Sequence, residues 1–177
     1  MSSAEDLIAK LKSPNPEERR KAAFALGRVR VKEAIDPLLE IVKNDDYYLA
    51  KVAAIQSLTW IADPVVIPTF VDMLSNETEP LVLSTLVESL GQFKNPIAIM
   101  PLLRLLHQQE NNEELRETIL RSIYQMIDLK SLALLAKYLK SQDETLRSSA
   151  VQALEFIARE HGYQTMEELL SKHNRPP

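Results

Sequence analysis

Histidines and carboxylates are the first candidates for acid–base or metal chemistry in this sequence, which contains no cysteine. The three histidines, His107, His161 and His173, include no i, i+4 pair on one helical face, and none is followed by glutamate. Metal sites on helices need such spacings, so we predict no metal site. The acidic pairs fall where helices are predicted to begin, and a helix N-terminus stabilises negative charge without any catalytic role. These pairs are Asp45/Asp46, Glu113/Glu114, Asp143/Glu144 and Glu167/Glu168.

The remaining catalytic motifs are missing from the sequence. It has only three glycines, with no Gly-x-Ser-x-Gly turn and no phosphate-binding loop. Without cysteine there is also no thiol nucleophile and no thiolate metal site. We therefore predict no catalytic residue and no cofactor, and we favour a non-enzymatic protein.

Length, charge and composition limit the class of protein. The chain has 177 residues, 45% of them hydrophobic and 26% charged, which is typical of a soluble globular protein. Its net charge is −4, and residues 52–101 hold one basic and five acidic side chains, so we expect no nucleic-acid partner. No apolar run approaches the roughly 18 residues of a membrane span, and the first ten residues lack a signal-peptide pattern. These features predict a cytoplasmic protein without a membrane partner.

Two sets of landmarks recur along the chain with one period. Positions 6, 37, 68, 101 and 133, where a proline or its equivalent precedes an apolar pair, are 31, 31, 33 and 32 residues apart. A second set is spaced by 32, 32, 33 and 31 residues and comprises Leu26, Leu58, Leu90, Ile123 and Leu154. Each unit reads as two helices separated by a polar turn, so the sequence predicts an all-α protein built of helical repeats.

The second helix of each unit carries an apolar stripe. If the residues of the Leu26 set are numbered zero, positions −4, −3 and +3 lie within about 60° of them on a helical wheel and are mostly apolar. The +3 residues are Val29, Ile61, Phe93, Met126 and Ile157. One helical pair cannot bury such a stripe alone, so five stacked pairs are expected to share one core.

The segment from Asn15 to Gly27, Asn-Pro-Glu-Glu-Arg-Arg-Lys-Ala-Ala-Phe-Ala-Leu-Gly, and its echo Leu90-Gly91 resemble the HEAT-like repeat of phycobilisome lyases. The resemblance covers about residues 4–158. It implies a right-handed α-α superhelix of five helical hairpins, and the second helices would line its concave surface. Such repeats serve bilin lyases, a diiron hydroxylase, relatives of DNA glycosylases and plain scaffolds, so the resemblance implies a fold rather than a function.

The repeats and a terminal helix account for nearly the whole sequence. We predict one domain over residues 1–177, a short C-terminal capping helix over 163–173 and a disordered tail over 174–177. The five repeats are expected over residues 4–32, 33–63, 64–95, 96–129 and 130–160.

A basic residue lies seven positions before the zero residue in four of the five units, as it does in the family. These residues are Arg19, Lys51, Arg116 and Arg147, whereas the third unit has Leu83. Repetition at one position favours a structural role, in which the stem packs between repeats and the charged group caps carbonyls or meets a carboxylate. A further cluster, Arg20, Lys21, Arg28, Arg30 and Lys32, is either a solvated end of the array or a docking point for an acidic partner.

Positions −5, −2 and +2 of the second helices point away from the predicted packing stripe. Exposed aromatic residues among polar ones are typical of recognition surfaces. The candidate partner-binding residues on this face are Phe24, Arg28, Gln56, Trp60, Glu88, Gln92, Arg121, Gln125 and Phe156. The alternative for Trp60 is a structural one, in which it folds over the Asp63-Pro64 turn or stacks with Arg28.

Three functional hypotheses follow. The first is a scaffold or adaptor that binds another protein on the concave face. The second, implied by the resemblance, is a bilin-handling protein: a lyase subunit or a chromophore-detaching relative. Trp60, Phe24 and Phe156 would then contact the tetrapyrrole, and Arg28 or Arg121 its propionates. Nucleic-acid binding ranks last, and the sequence does not indicate an oligomeric state.

Overall fold

The computed structural model describes residues 3–173, and the predicted tail over 174–177 lies outside the described residues. Within residues 3–173 every regular element is helical, which confirms the all-α prediction. The chain divides into two compact units, Met1–Phe93 and Lys94–Pro177. The prediction of one domain over 1–177 stays a prediction.

The first unit contains three helical hairpins. In each, a shorter helix is followed by a longer one of 13 or 14 residues. The helices are α1 (Ala4–Lys10), α2 (Pro16–Arg28), α3 (Ile35–Asn44), α4 (Tyr48–Ile61), α5 (Ile67–Met73) and α6 (Pro80–Phe93). The long helices pack on one another in chain order, α2 on α4 and α4 on α6, so their apolar stripes form one core.

The second unit contains two hairpins and a terminal helix. Its helices are α7 (Ile99–Gln108), α8 (Glu113–Gln125), α9 (Leu129–Tyr138), α10 (Glu144–Glu160) and α11 (Met166–His173). α10 is central to this unit, because it contacts α7, α8, α9 and α11. Leu169 of α11 is buried, as expected of a helix that covers the apolar face of the last repeat.

The five residues of the zero set, Leu26, Leu58, Leu90, Ile123 and Leu154, are completely buried. The residues at the neighbouring stripe positions are buried or half-buried, with one exception. The expectation that Val29 faces the core is wrong, because the residue is 67% exposed. α2 ends at Arg28, and the chain leaves the helical path before the +3 position is reached.

The turns that follow α2 and α4 share a left-handed residue. Arg30 has a φ of 54° and Ala62 a φ of 61°, and the two lie 32 residues apart. At Arg30 the backbone N–H donates to the carbonyl of Gly27 (3.0 Å), and the next N–H donates to that of Leu26 (3.1 Å). Left-handed residues commonly end helices in this way, although glycine is the usual occupant.

Candidate functional site

The candidate site lies on α2 and α4, where the two helices approach very closely. A side chain at Gly27 would overlap the side chain and Cα of Ser57, so only glycine fits there. Ser57 is completely buried, and its hydroxyl donates to the carbonyl of Ala23 (2.8 Å). The close contact and this hydrogen bond fix the separation of the two helices directly behind the site.

Two aromatic rings from these helices meet at the surface. The ring centroids of Phe24 and Trp60 lie 5.2 Å apart, and the ring planes are inclined by 76°, which is an edge-to-face contact. Phe24 is 39% exposed and Trp60 is half-buried. Trp60 therefore contacts the aromatic residue of the preceding repeat. No cation–π contact with Arg28 is found in residues 3–173.

A cleft of about 300 Å³ opens beside the two rings. Its lining consists of Phe24, Gly27, Arg28, Arg30 and Trp60. Both arginines are exposed, and within residues 3–173 neither forms an ion pair. The cleft thus combines an aromatic wall with two available guanidinium groups.

The cleft also shows what sequence reasoning missed. From the sequence alone, Arg30 belongs to the cation cluster at the end of the first repeat and not to the aromatic face, and Gly27 is only part of the family motif. The signal was the Gly27-Arg28-Val29-Arg30 segment itself, because a helix that ends there returns Arg30 towards the preceding turn.

Most of the predicted face residues lie at the surface of their own unit. In the first unit Gln56, Glu88 and Gln92 are exposed, in addition to the cleft residues. In the second unit Arg121 and Gln125 are exposed, and Arg121 donates to the Glu117 carboxylate one turn earlier (2.7 Å). Their role in binding stays a prediction.

Phe156 does not lie on an exposed face, so the expectation that it points into solvent is wrong. The residue is 7% exposed. Tyr124 of α8 packs edge-to-face on its ring at 6.4 Å, and the guanidinium carbon of Arg159 lies 5.1 Å from the ring centroid. A wheel drawn for one helix omits side chains from neighbouring positions and helices, such as those that cover Phe156 here.

The repeated basic residues lie at contacts inside their units. Three of them donate hydrogen bonds to a carbonyl of the preceding segment: Arg19 to Ser13 (3.0 Å), Arg116 to Leu106 (3.5 Å) and Arg147 to Ser141 (2.6 Å). Three also reach the following repeat. Arg19 pairs with Asp45, Lys51 pairs with Glu77 (3.1 Å), and Arg116 donates to the Gln152 side chain (2.7 Å).

Asp45 is the most enclosed of these acidic partners, with 1% of its side chain exposed. Two nitrogens of Arg19 donate to its carboxylate at 2.7 Å each, and the Tyr47 backbone N–H donates at 2.8 Å. Burial raises the pKa of Asp45, but these hydrogen bonds outweigh it and hold the pKa below its ordinary value of 3.8. Asp45 therefore stays ionised and paired at neutral pH.

A metal ligand set is not found among residues 3–173, where no three His, Cys, Asp or Glu residues are grouped to hold an ion. The histidines have other neighbours: His107 lies 3.1 Å from Glu110, His161 lies beside the Tyr124 ring, and His173 Nδ1 lies 2.9 Å from the Leu169 carbonyl. None of the helices in this range is long and apolar enough to cross a membrane.

Comparison with solved structures identifies proteins with a similar fold. One is the complex of CpcE and CpcF of phycocyanin lyase from Nostoc sp. PCC7120, with a TM-score of 0.66 and 22% identity over 97% of this chain and 70% of that one. Another is an engineered protein, with a TM-score of 0.56 and 18% identity over 89% of this chain and 80% of that one. At these identities the likeness concerns the fold alone.

Sequence comparison gives a more definite result for the family. No curated protein matches the sequence. The family profile described as HEAT repeats, however, matches it twice, over residues 4–91 and 67–155. These two matches together span residues 4–155, which is most of the chain and includes the helical hairpins described above. The chain therefore belongs to the HEAT-repeat family.

Proposed function

We propose that this protein is a non-enzymatic binding module that holds a partner protein on the exposed face of its second helices. The observation that carries this proposal is the surface aromatic pair, Phe24 and Trp60, beside a cleft lined by two arginines. Tryptophan and arginine are enriched among the residues that dominate binding energies at protein interfaces. Neither Phe24 nor Trp60 is fully buried, so both rings keep surface that a partner can contact.

The chemistry of the chain supports binding over catalysis. The cleft is lined by aromatic rings, guanidinium groups and a glycine, and none of these is a general acid, a general base or a nucleophile at neutral pH. The absence of cysteine suits a reducing compartment, so the proposal includes a cytoplasmic location.

The test compares two aromatic substitutions on the same helix. Trp60→Ala removes the anchor in the cleft. Tyr48→Ala is the matched control, because Tyr48 is also an exposed aromatic residue of α4 and does not line the cleft. Wild-type protein and both variants are immobilised, and extract of the native host is passed over them. The retained proteins are identified by mass spectrometry and then purified for calorimetry.

We expect a partner that the wild-type protein and Tyr48→Ala retain equally and that Trp60→Ala binds about 30-fold more weakly or worse. A partner with equal affinity for all three proteins would show that the face at Trp60 is not the binding surface. If no protein is retained specifically, the role of a protein-binding module is wrong.

A second candidate, bilin handling, is supported by the same cleft and by the fold likeness to phycocyanin lyase. Aromatic rings could stack on a tetrapyrrole, and Arg28 could pair with a propionate. The volume argues against it, since about 300 Å³ is the lower limit of the roughly 300–1,000 Å³ range for drug-sized ligands and suits one or two side chains better. Visible absorbance after co-expression with bilin, lost in Trp60→Ala and Arg28→Gln, would favour this candidate over the first.

A further inference from the structure

We infer that the cleft between α2 and α4 takes a short acidic segment of the partner, in which a carboxylate lies next to an apolar or aromatic side chain. This inference rests on the proposed function and specifies the chemistry of the partner. The residues that define the segment are the aromatic Phe24 and Trp60 and the basic Arg28 and Arg30, which line the same cleft.

Charge complementarity identifies the sign of the partner. Between residues 17 and 36 the sequence has six cations and four acids, Glu17, Glu18, Glu33 and Asp36. Arg19 and Arg20 are engaged, with Asp45 and Glu17 respectively, whereas Arg28 and Arg30 form no ion pair within residues 3–173. Two exposed guanidinium groups at one cleft attract carboxylates, and they can bind them with two parallel hydrogen bonds.

The helix end explains only part of this arrangement. Arg28 lies in the last turn of α2 and Arg30 directly follows it, so the helix C-terminus favours a cation at both positions. The helix end does not account for an exposed aromatic pair that lines the same cleft as these two cations. The combination fits a ligand with both an apolar and an anionic group.

The aromatic wall identifies the second group. In an edge-to-face contact each ring keeps at least one face that the other ring does not cover, and Phe24 is well exposed. A side chain of the partner can therefore pack on aromatic surface while a neighbouring carboxylate pairs with an arginine. The cleft, of about 300 Å³, has room for one or two side chains.

The experiment uses a library of random dodecapeptides displayed on phage, selected against the full-length protein. We expect the enriched peptides to carry Asp or Glu within three residues of an aromatic or aliphatic side chain. Representative peptides are then synthesised with a fluorophore, together with versions in which each carboxylate is replaced by its amide, and affinities are measured by anisotropy at 50 and 300 mM salt.

Two variants test the aromatic and the basic part of the cleft separately, and a third is their control. We expect Trp60→Ala to bind the peptide about 30-fold more weakly. Arg28→Gln/Arg30→Gln should bind it about 10-fold more weakly and lose most of the salt dependence, because the attraction it removes is electrostatic. The matched control is Lys10→Gln/Lys12→Gln, which removes two exposed cations with the same spacing from another part of the first unit and should bind like the wild type.

Two results would overturn the inference. The first is that selection enriches peptides without acidic residues or enriches no peptide. The second is that the amide peptides bind as tightly as the acidic peptides, or that the Arg28→Gln/Arg30→Gln variant binds the peptide as tightly as the wild type does. If the host partner still depends on Trp60 in either case, the proposed function stands and only the acidic segment is wrong. If the affinity for the host partner also does not depend on Trp60, both the proposed function and the inference about the acidic segment are wrong.

Discussion

Arg19 links three parts of the first unit through one guanidinium group. It donates to the Ser13 carbonyl, to the enclosed Asp45 carboxylate and to Asp46, of which 94% is exposed. Breaking an enclosed ion pair from one side leaves a charge without a partner, and this costs far more than loss of an exposed pair. The contact with Asp45 should therefore matter for stability, and the contact with Asp46 should not.

We predict that Asp45→Asn lowers the free energy of unfolding by about 2–3 kcal/mol at pH 7, because Arg19 and the Tyr47 N–H lose their ionised acceptor. Urea denaturation measures the change, with Asp46→Asn as the control, for which we expect less than about 0.5 kcal/mol. A similar loss in both variants would contradict this account.

The same pair predicts a dependence on pH. The pKa of Asp45 is lower in the folded protein than in the unfolded chain, so the stability that ionised Asp45 contributes is fully present above the ordinary value of 3.8. This stability is lost as the pH falls through the lower pKa of the folded state. The stability difference between wild type and Asp45→Asn should therefore narrow below about pH 4.

Trp60 and Ile61 are neighbours in sequence with different environments. Ile61 is buried, whereas Trp60 is half-buried against Phe24. We predict that Ile61→Ala lowers the free energy of unfolding by about 2–4 kcal/mol and Trp60→Ala by about 1–2 kcal/mol, because an aromatic pair at the surface loses less buried area. Equal losses of stability in thermal denaturation would show that the main role of Trp60 is to hold the first two repeats together.

At the scale of the element, the turns after the long helices carry an avoidable conformational cost. Ala62 holds a left-handed conformation, which costs an L-residue about 1–2 kcal/mol. Ala62→Gly should remove this cost and raise stability by about 0.5–1 kcal/mol, after the greater flexibility of glycine in the unfolded chain is subtracted. The control is Ala133→Gly inside α9, which should lower stability by about 1 kcal/mol. Destabilisation by both substitutions would show that the turn is not strained.

α6 offers a comparison between its buried and exposed faces. Leu90 is completely buried, and Leu90→Ala should lower the free energy of unfolding by about 2–5 kcal/mol through lost burial and a cavity. Leu86, one turn earlier and equally buried, should behave similarly. Leu81 of the same helix is exposed, and Leu81→Ala should cost less than about 1 kcal/mol. Comparable losses at Leu81 and Leu90 would mean that the helix faces are assigned wrongly.

The helices could be predicted because the same pattern of apolar residues recurs in all five repeats. A register error at Leu58 would have broken the agreement at Leu26 and Leu90. The ends of helices are harder to predict, because a single residue decides where a helix stops. The repeat pattern places Val29 on the packing stripe, but α2 ends at Arg28. Phe156 was misassigned because its burial depends on Tyr124 and Arg159, and no single-helix periodicity contains them.

At the scale of the whole molecule, the distribution of charge governs which macromolecules it can bind. Residues 52–101 carry one basic side chain and five acidic ones, and the net charge is −4. Non-specific binding of DNA depends on rows of cations that neutralise phosphates. The cations that border the cleft are too few and too local to form such a row.

We therefore predict that a 20-base-pair duplex binds more weakly than about 100 µM at 150 mM salt, as measured by fluorescence anisotropy. An unrelated basic DNA-binding protein in the same buffer is the positive control. Micromolar affinity that falls steeply with salt would contradict the prediction and return nucleic-acid binding to consideration.

The contact between Gly27 and Ser57 has a consequence for recognition. Because backbone meets side chain there without a gap, the two helices cannot move closer together, and the buried Ser57 hydroxyl bond opposes their separation. The cleft on the other side of Gly27 consequently has its shape before any partner arrives. Association then loses little conformational entropy in placing the two helices, and the entropy cost of shaping the site falls on the exposed side chains of Arg28 and Arg30.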